Sequence, residues 1–205
     1  MPVRKPTYRE IEVKLPVADA PTLLGVLRRL GIESGYRILE QNTLFDTPQS
    51  DLRRRGRLLR LRVESPAPDH HFPGGALRAI LTAKAPAPPR PGRTAGRRYK
   101  EKLERELPVA NPTEFQSALI SLGFRPSFRY EKYRTTFRFP ALHLSLDETS
   151  VGTYLELEGS PRAINRLARS LGFSPRDYIG NTYWDLYSAD CRRRRVPPGD
   201  MLLQT

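Results

Sequence analysis

Cysteine is nearly absent from this sequence of 205 residues, which contains only Cys191. A single thiol excludes an internal disulfide framework and a thiolate-rich zinc site. No run approaches the roughly 18 apolar residues that a transmembrane helix requires, and residues 1–12 lack the apolar core of a secretory signal. These absences predict a cytoplasmic protein that makes no use of a membrane.

Acidic residues are also scarce, since 22 Asp and Glu stand against 35 Lys and Arg, giving a net charge of +13. This excess predicts an anionic partner. Arginine supplies 29 of the 35 basic residues. The arginine bias favours phosphate, because a guanidinium group binds its oxygens in pairs, although a GC-rich genome would produce the same bias. Hydrophobic residues make up 38% of the chain, enough for a folded core.

Three helices are predicted from their ends, each with a polar cap, an early proline and a terminal glycine. They begin after the caps Asp19, Asn111 and Ser160 and end before Gly31, Gly123 and Gly172. Residues 12–31 align without gaps on residues 104–123, and residues 154–173 form a looser copy. These repeated strand–helix units predict one domain over residues 1–190, followed by an exposed basic tail over residues 191–205.

Strands are predicted at the start of each repeated unit and in the stretches between them, over residues 37–46, 57–64, 76–84, 97–108, 129–139 and 141–148. Two proline-rich segments, residues 65–75 and 85–96, are predicted to be loops. About eight strands with three helices indicate an α+β fold dominated by antiparallel strands.

The strands carry charge on one face, because residues two apart lie on the same side of a strand. In the first strand Glu10, Glu12 and Lys14 lie opposite three aliphatic residues. The corresponding faces of later strands hold Arg60 and Arg62, Thr82 and Lys84, Lys100, Lys102, Glu104 and Glu106, Lys132 and Arg134, His143, Ser145 and Asp147, and Glu156 and Glu158. Two interpretations remain open: solvated polar faces, or the lining of a closed barrel whose apolar face is covered by helices.

A lumen lined by both signs of charge would suit a metal–polyphosphate complex. Paired carboxylates are ligands for a hard divalent cation such as Mg²⁺ or Mn²⁺. Arginine and lysine would neutralise the remaining phosphate oxygens. Phosphoryl transfer depends mainly on such positioning and charge neutralisation.

The ordered motifs resemble those of the CYTH superfamily, the triphosphate tunnel metalloenzymes. Glu10-Ile-Glu12-Val-Lys14 resembles the family's ExExK motif. NTLFDTP, LLRLR, LTAK, ERE, EKYR, SLDETSVGTYLELEG and NTYWDLY follow in the family's order, so the resemblance covers residues 8 to about 188. The chain departs from the pattern at Lys102, where arginine is expected, and at Asn181-Thr182, where a serine is expected.

The resemblance implies an eight-stranded antiparallel closed β-barrel with helices packed outside, and a role for each matching residue. The metal ligands would be Glu10, Glu12, Asp147, Glu156 and Glu158. The triphosphate would be bound by Lys14, Arg60, Arg62, Lys84, Lys102, Lys132 and Arg134. Glu10, Glu12, Lys84 and Glu158 would be catalytic, and Glu104 and Glu106 would support them.

The reaction is left open by these motifs. Hydrolysis of inorganic triphosphate, ATP or thiamine triphosphate is the first hypothesis. A class IV adenylate cyclase, converting ATP to cyclic AMP and pyrophosphate, is the second. A non-catalytic basic module that binds polyanions is an alternative of another class, suggested by Arg53–Arg55 and Arg192–Arg195, although specific nucleic-acid binding is not expected. His70, His71 and Cys191 are not expected to be ligands or nucleophiles, and His143 is a minor candidate for the lumen.

Overall fold

A computed structural model describes residues 7–68, 77–88 and 99–203. Its strands are β1 (Tyr8–Val17), β2 (Glu33–Asp46), β3 (Leu58–Pro66), β4 (Arg78–Pro86), β5 (Lys100–Val109), β6 (Arg125–Arg138), β7 (His143–Thr149) and β8 (Gly152–Glu158). Its helices are α1 (Ala20–Arg29), α2 (Asp51–Arg54), α3 (Pro112–Ser121), α4 (Pro161–Ser170) and α5 (Tyr183–Arg194). His70, His71 and most of both predicted loops lie outside the described residues.

The strands form one closed barrel in the order β1-β5-β4-β3-β2-β6-β7-β8, with antiparallel pairing throughout. Closure depends on β1, which pairs with β5 through its first half and with β8 through its second. Glu12 is the point of overlap, since it is in register with Lys100 on one side and Glu158 on the other. This architecture confirms the α+β class and the eight-stranded antiparallel barrel.

The apolar faces of the strands point outward and are covered by helices. Val13 and Leu15 of β1 are fully buried together with Leu27 of α1 and Ile164 of α4 in the main hydrophobic core. Burial of each such side chain contributes about 1.5–3 kcal/mol. The charged faces therefore point into the barrel, where Glu10, Glu12 and Lys14 are only 5%, 6% and 2% exposed. The lumen interpretation is confirmed, and the alternative of solvated faces is wrong.

The three predicted helices begin at the expected caps. The side chain of Asp19 accepts a hydrogen bond from the Thr22 amide, and that of Ser160 accepts one from the Ala163 amide. Asn111 caps α3 in the same way. The strands of the three repeated units, β5, β1 and β8, are neighbours in the barrel. The repeat therefore builds one continuous side of the sheet.

Helix α5 was not predicted from the sequence. It begins with a capping box, in which Thr182 and Asp185 bond each other's backbone amides. Just before it, Ile179 exchanges two backbone hydrogen bonds with Lys14 and extends the pairing of β1 beyond β5. Met201 forms a parallel bridge beside Tyr130 of β6, through backbone hydrogen bonds with Arg129 and Glu131, and is fully buried. The expectation of a wholly exposed tail is therefore wrong at Met201, because its side chain completes an aromatic cluster.

None of the helices in the described ranges combines the length and the hydropathy that crossing a membrane would require.

Candidate active site

A cavity of about 790 Å³ lies inside the barrel and collects the charged side chains of the strands. All predicted site residues except Asp147 line it: Glu10, Glu12, Lys14, Arg60, Arg62, Lys84, Lys102, Glu104, Glu106, Lys132, Arg134, Glu156 and Glu158. His143, the minor candidate, also lines it. The alternation of each strand thus brings together residues from seven strands.

One part of the lining, here called the Glu10 cluster, consists of Glu10, Glu12, Lys84, Lys100 and Glu104. Lys84 Nζ lies 2.7 Å from both oxygens of Glu10 and 2.8 Å from Glu104 Oε2. Lys100 Nζ donates to Glu12 Oε1 at 2.6 Å. Three carboxylates on adjacent strands therefore share two lysines.

The acids of the Glu10 cluster respond differently to this shortage of positive charge. Burial and the neighbouring Glu12 raise the pKa of Glu10 from 4.5 to about 8, even though Lys84 opposes them. Burial also acts to raise the pKa values of Glu12 and Glu104, but nearby cations outweigh it. Lys100 and Lys14 hold the pKa of Glu12 well below its usual range, and Lys84 and Arg60 lower that of Glu104 to about 2. The crowding of carboxylates thus disfavours ionisation of Glu10 more than that of Glu12 or Glu104.

A second part, here called the Asp147 cluster, consists of Glu40, Lys132, Arg134, Asp147, Glu156 and Tyr183. Asp147 is fully buried. Its carboxylate accepts hydrogen bonds at 2.6 Å from Lys132 Nζ, from the Arg134 guanidinium and from the Tyr183 hydroxyl. Arg134 also donates to Glu156 Oε2 at 2.5 Å. A buried carboxylate with this many charged donors is fully satisfied.

The other groups of the Asp147 cluster are held in their charged or neutral forms by the same contacts. Burial acts to raise the pKa of Glu156, but Lys14, Lys132 and Arg134 lower it well below its usual range. Burial and Asp147 raise the pKa of Tyr183, so its hydroxyl stays a donor. Lys14 connects the two clusters, because its Nζ lies 3.0 Å from Glu12 and 3.2 Å from Glu156.

Arg60 is placed differently from the other bases. Its guanidinium donates to the Tyr130 hydroxyl at 3.2 Å and to Thr82 Oγ1 at 3.1 Å, and both partners are neutral oxygens. Its ion-pair partner in the described ranges is Glu106, at the outer limit of 4.0 Å. The Nε atom is buried without a hydrogen-bond partner. A buried arginine with a spare donor and weak carboxylate pairing is well suited to bind an anion.

Several functional side chains escaped sequence reasoning. Glu40 of β2 is buried and pairs with Arg62 at 3.3 Å and with Lys132 at 3.3 Å. Its strand gives no clean signal, because Glu40 shares its face with Ile38 and Leu44. Tyr183 lies on an unpredicted helix, and only the resemblance of NTYWDLY to a family motif pointed to it.

Lys102 and Cys191 were also considered in the sequence, and the structure places them differently with respect to the cavity. Lys102 Nζ donates to the carbonyl of Gly56 at 2.8 Å, and its side chain lines one end of the cavity. Burial and the nearby Lys100 lower the pKa of Lys102. Cys191 is fully buried on α5 and is not among the residues that line the cavity.

The donor set agrees with a hard divalent cation, but it is not assembled around one. Carboxylates are the oxygen ligands that such ions take. A cation beside Glu10 would favour the ionised form that burial and the neighbouring Glu12 disfavour. Across residues 7–68, 77–88 and 99–203, no three acidic, histidine or cysteine side chains are grouped to hold a metal. The acids instead turn toward lysine and arginine, which a bound phosphate would draw away.

The fold and the site define the class of protein. The chain matches the CYTH domain over residues 8–174, which is most of its length, and it therefore belongs to the CYTH family. No curated protein matches the chain.

Solved structures share the fold at low sequence identity. A protein of Vibrio parahaemolyticus, proposed to be an adenylate cyclase, is 20% identical with a TM-score of 0.68, and the match covers 87% of this chain and 97% of that one. The PH1819 protein of Pyrococcus horikoshii OT3 is 20% identical with a TM-score of 0.70, over 88% and 99% of the two chains. A proposed adenylyl cyclase of Hippeastrum, described as having a dominant triphosphatase activity, is 20% identical with a TM-score of 0.55, over 88% and 96%.

Proposed function

We propose that the chain is a divalent-metal-dependent enzyme that hydrolyses a triphosphate bound inside the barrel. The observation that carries this proposal is Arg60, a buried guanidinium with a spare donor that lines a cavity together with further lysines and arginines. Membership of the CYTH family supports an enzyme acting on a triphosphate, and a divalent metal in general. The triphosphatase activity described for the Hippeastrum protein favours hydrolysis.

The bases would bind the substrate by exchanging carboxylate partners for phosphate oxygens. Arg60 and Arg62 present guanidinium forks from β3, and Lys132 and Arg134 face them from β6. Lys14, Lys84 and Lys102 would complete the binding set. Because each base except Arg60 and Lys102 already has a close carboxylate partner, the internal acids hold these side chains in place before the substrate arrives.

Glu10 and Glu12, with Glu156 and Glu158, would hold Mg²⁺ or Mn²⁺, and Glu104 and Glu106 would support them. A bound cation would neutralise phosphate charge and orient the attacking water. The side chains nearest the reacting phosphorus would be the predicted catalytic residues Glu10, Glu12, Lys84 and Glu158. Asp147 was expected to be a further ligand, but its carboxylate already accepts bonds from three side chains. We propose that it positions Lys132 and Arg134 instead.

The carboxylates supply the first experiment. Glu10→Gln and Glu12→Gln should each lower metal-dependent phosphate release by at least about 100-fold, because each loses a charged oxygen ligand. Glu101→Gln is the matched control, since Glu101 lies on β5, pairs with Arg9 at 2.8 Å and does not line the cavity. Unchanged rates in both cavity variants would refute the metal-dependent site.

One ATP reaction with Mg²⁺ or Mn²⁺ separates the candidate reactions. Release of phosphate is expected from hydrolysis, whereas pyrophosphate with cyclic AMP would identify the cyclase alternative. ATP binding that survives loss of Glu10 and Glu12, without any product, would instead identify a non-catalytic polyanion-binding module.

Arg60 supplies the second experiment. Arg60→Ala should raise KM for the triphosphate at least about 10-fold, since a charge-assisted pair is worth about 1.5–3 kcal/mol. Arg54→Ala is a control of equal charge, because Arg54 is exposed, pairs with Asp51 at 2.7 Å and does not line the cavity. An unchanged KM in Arg60→Ala would remove Arg60 from the phosphate site.

A further inference from the structure

One mouth of the barrel is built from aromatic and basic residues rather than from paired charges. Strand β2 ends there at Asp46, helix α2 follows it, and β6 begins there at Arg125, which is in register with Asp46. The first turn of α5 lies over the same mouth. Arg53, Phe128 and Trp184, here called the ring site, all line the cavity at this position.

The ring site has the geometry of a stacking platform. Trp184 is partly exposed, and the edge of its ring system meets Phe128 with a centroid separation of 4.9 Å and an interplanar angle of 79°. The Arg53 guanidinium lies 4.7 Å from the centroid of the indole. No acidic side chain in the described part of the chain forms an ion pair with Arg53. The guanidinium can therefore move off the indole and still cover a ring placed between them.

The ring site is continuous with the proposed phosphate site. Phe128 stacks on Tyr130 with centroids 5.6 Å apart, and the Tyr130 hydroxyl accepts a hydrogen bond from Arg60. On the other side, Trp184 follows Tyr183, whose hydroxyl bonds to Asp147. The organic group attached to a triphosphate bound at Arg60 would therefore extend toward Trp184.

We propose that Trp184 and Arg53 bind the ring of an organic triphosphate and thereby select a nucleoside triphosphate over inorganic triphosphate. This inference rests on the proposed function. An indole and a guanidinium both stack on flat rings of any base. The bases Arg53, Arg57 and Lys102 outnumber the acids Asp46 and Asp185 that line the cavity at this mouth, so its charge favours an uncharged ring. A positively charged ring, such as the thiazolium of thiamine triphosphate, would be repelled.

Trp184 is the only tryptophan of the sequence, so its fluorescence reports on the ring site directly. Titration with ATP should quench this emission to saturation. Inorganic triphosphate should displace ATP and reverse the quenching while causing little itself. ATP that binds and is displaced without quenching would overturn the proposal, as would equal quenching by inorganic triphosphate.

Variants of the ring site should affect ATP alone. Arg53→Gln and Trp184→Leu should each raise KM for ATP about 10-fold and leave KM for inorganic triphosphate within about twofold. Arg54→Gln is the matched control, since Arg54 is on the same helix, pairs with Asp51 at 2.7 Å and does not line the cavity. Equal effects of either variant on both substrates would overturn the proposal, and unchanged melting temperatures would confirm that the variants fold.

The two proposals fail in distinguishable ways. If neither ATP nor inorganic triphosphate is bound or hydrolysed, the proposed function is wrong and the ring site falls with it. If inorganic triphosphate is hydrolysed but ATP does not quench Trp184, only the ring site is wrong. Preference for thiamine triphosphate over ATP would overturn the assignment of an uncharged ring.

Discussion

The Glu10 cluster and the Asp147 cluster contain the same kinds of side chain but differ in how their charges are satisfied. In the Asp147 cluster one carboxylate accepts bonds from a lysine, an arginine and a tyrosine. In the Glu10 cluster one lysine serves two carboxylates, and the pKa of Glu10 rises to about 8. The first arrangement holds Lys132 and Arg134 in place, whereas the second leaves carboxylates that, in the proposed function, a bound cation would pair with.

The register of the strands brings unlike charges together in the Asp147 cluster and places like charges opposite each other beside the Glu10 cluster. On β6 and β7, Arg134 is directly opposite Asp147, so unlike charges meet. On β1 and β8, Glu12 is directly opposite Glu158, so like charges meet. Like charges opposite each other are destabilising. We therefore propose that the cation binds where carboxylates are least well paired with bases.

The largest effect on stability is expected from Asp147→Asn, which tests this comparison. The variant leaves Lys132 and Arg134 buried with one fewer charged acceptor, which should lower the free energy of unfolding by about 3 kcal/mol or more. Chemical denaturation measures the change. Glu148→Gln is the control, because Glu148 is the next residue but is 38% exposed and pairs with Arg37; it should cost at most about 1 kcal/mol. Equal effects at both positions would contradict the assigned role of Asp147.

The pH dependence of the free energy of unfolding should reveal the raised pKa of Glu10. Its pKa is raised on folding, so the folded state binds the proton more tightly than the unfolded state does. Stability from this group is therefore complete below about pH 4.5 and is lost as the pH rises toward about 8. The slope should reach at most about 1.4 kcal/mol per pH unit.

Glu10→Gln should remove that slope in metal-free protein and should leave stability at pH 8 equal to or above that of the original chain. Unfolding curves at pH 5 and pH 8 measure both quantities. A slope that persists in the variant would mean that another group titrates in this range.

The smallest expected effect concerns Lys102, where the family pattern has arginine. Lys102→Arg should lower KM for the triphosphate by roughly two- to threefold, because a fork binds phosphate oxygens in pairs where an ammonium binds as a point charge. A rise in KM would instead show that the bond from Lys102 to the Gly56 carbonyl matters more than phosphate contact.

Local rules were enough to predict the helix caps and the inward charge of the strands. The alternation of Glu10, Glu12 and Lys14 with aliphatic residues is legible in the sequence because it repeats every second residue. The pairing of Lys84 with both Glu10 and Glu104 cannot be predicted from the sequence pattern, since it depends on β4 and β5 being neighbours in a closed barrel. Glu40 and Tyr183 of the Asp147 cluster were not predicted for a different reason, because they come from a strand with a mixed face and a helix with a weak pattern.

The two short backbone pairings at Ile179 and Met201 have a consequence for how the chain folds. Strand β1 cannot complete its backbone hydrogen bonds until the ribosome has synthesised β8 and Ile179. Strand β6 likewise cannot complete its pairing until Met201 has been synthesised. Pairings between such distant parts of a sequence form slowly. During synthesis the early strands would therefore leave the ribosome with open edges and a charged inner face, and the barrel would close only late.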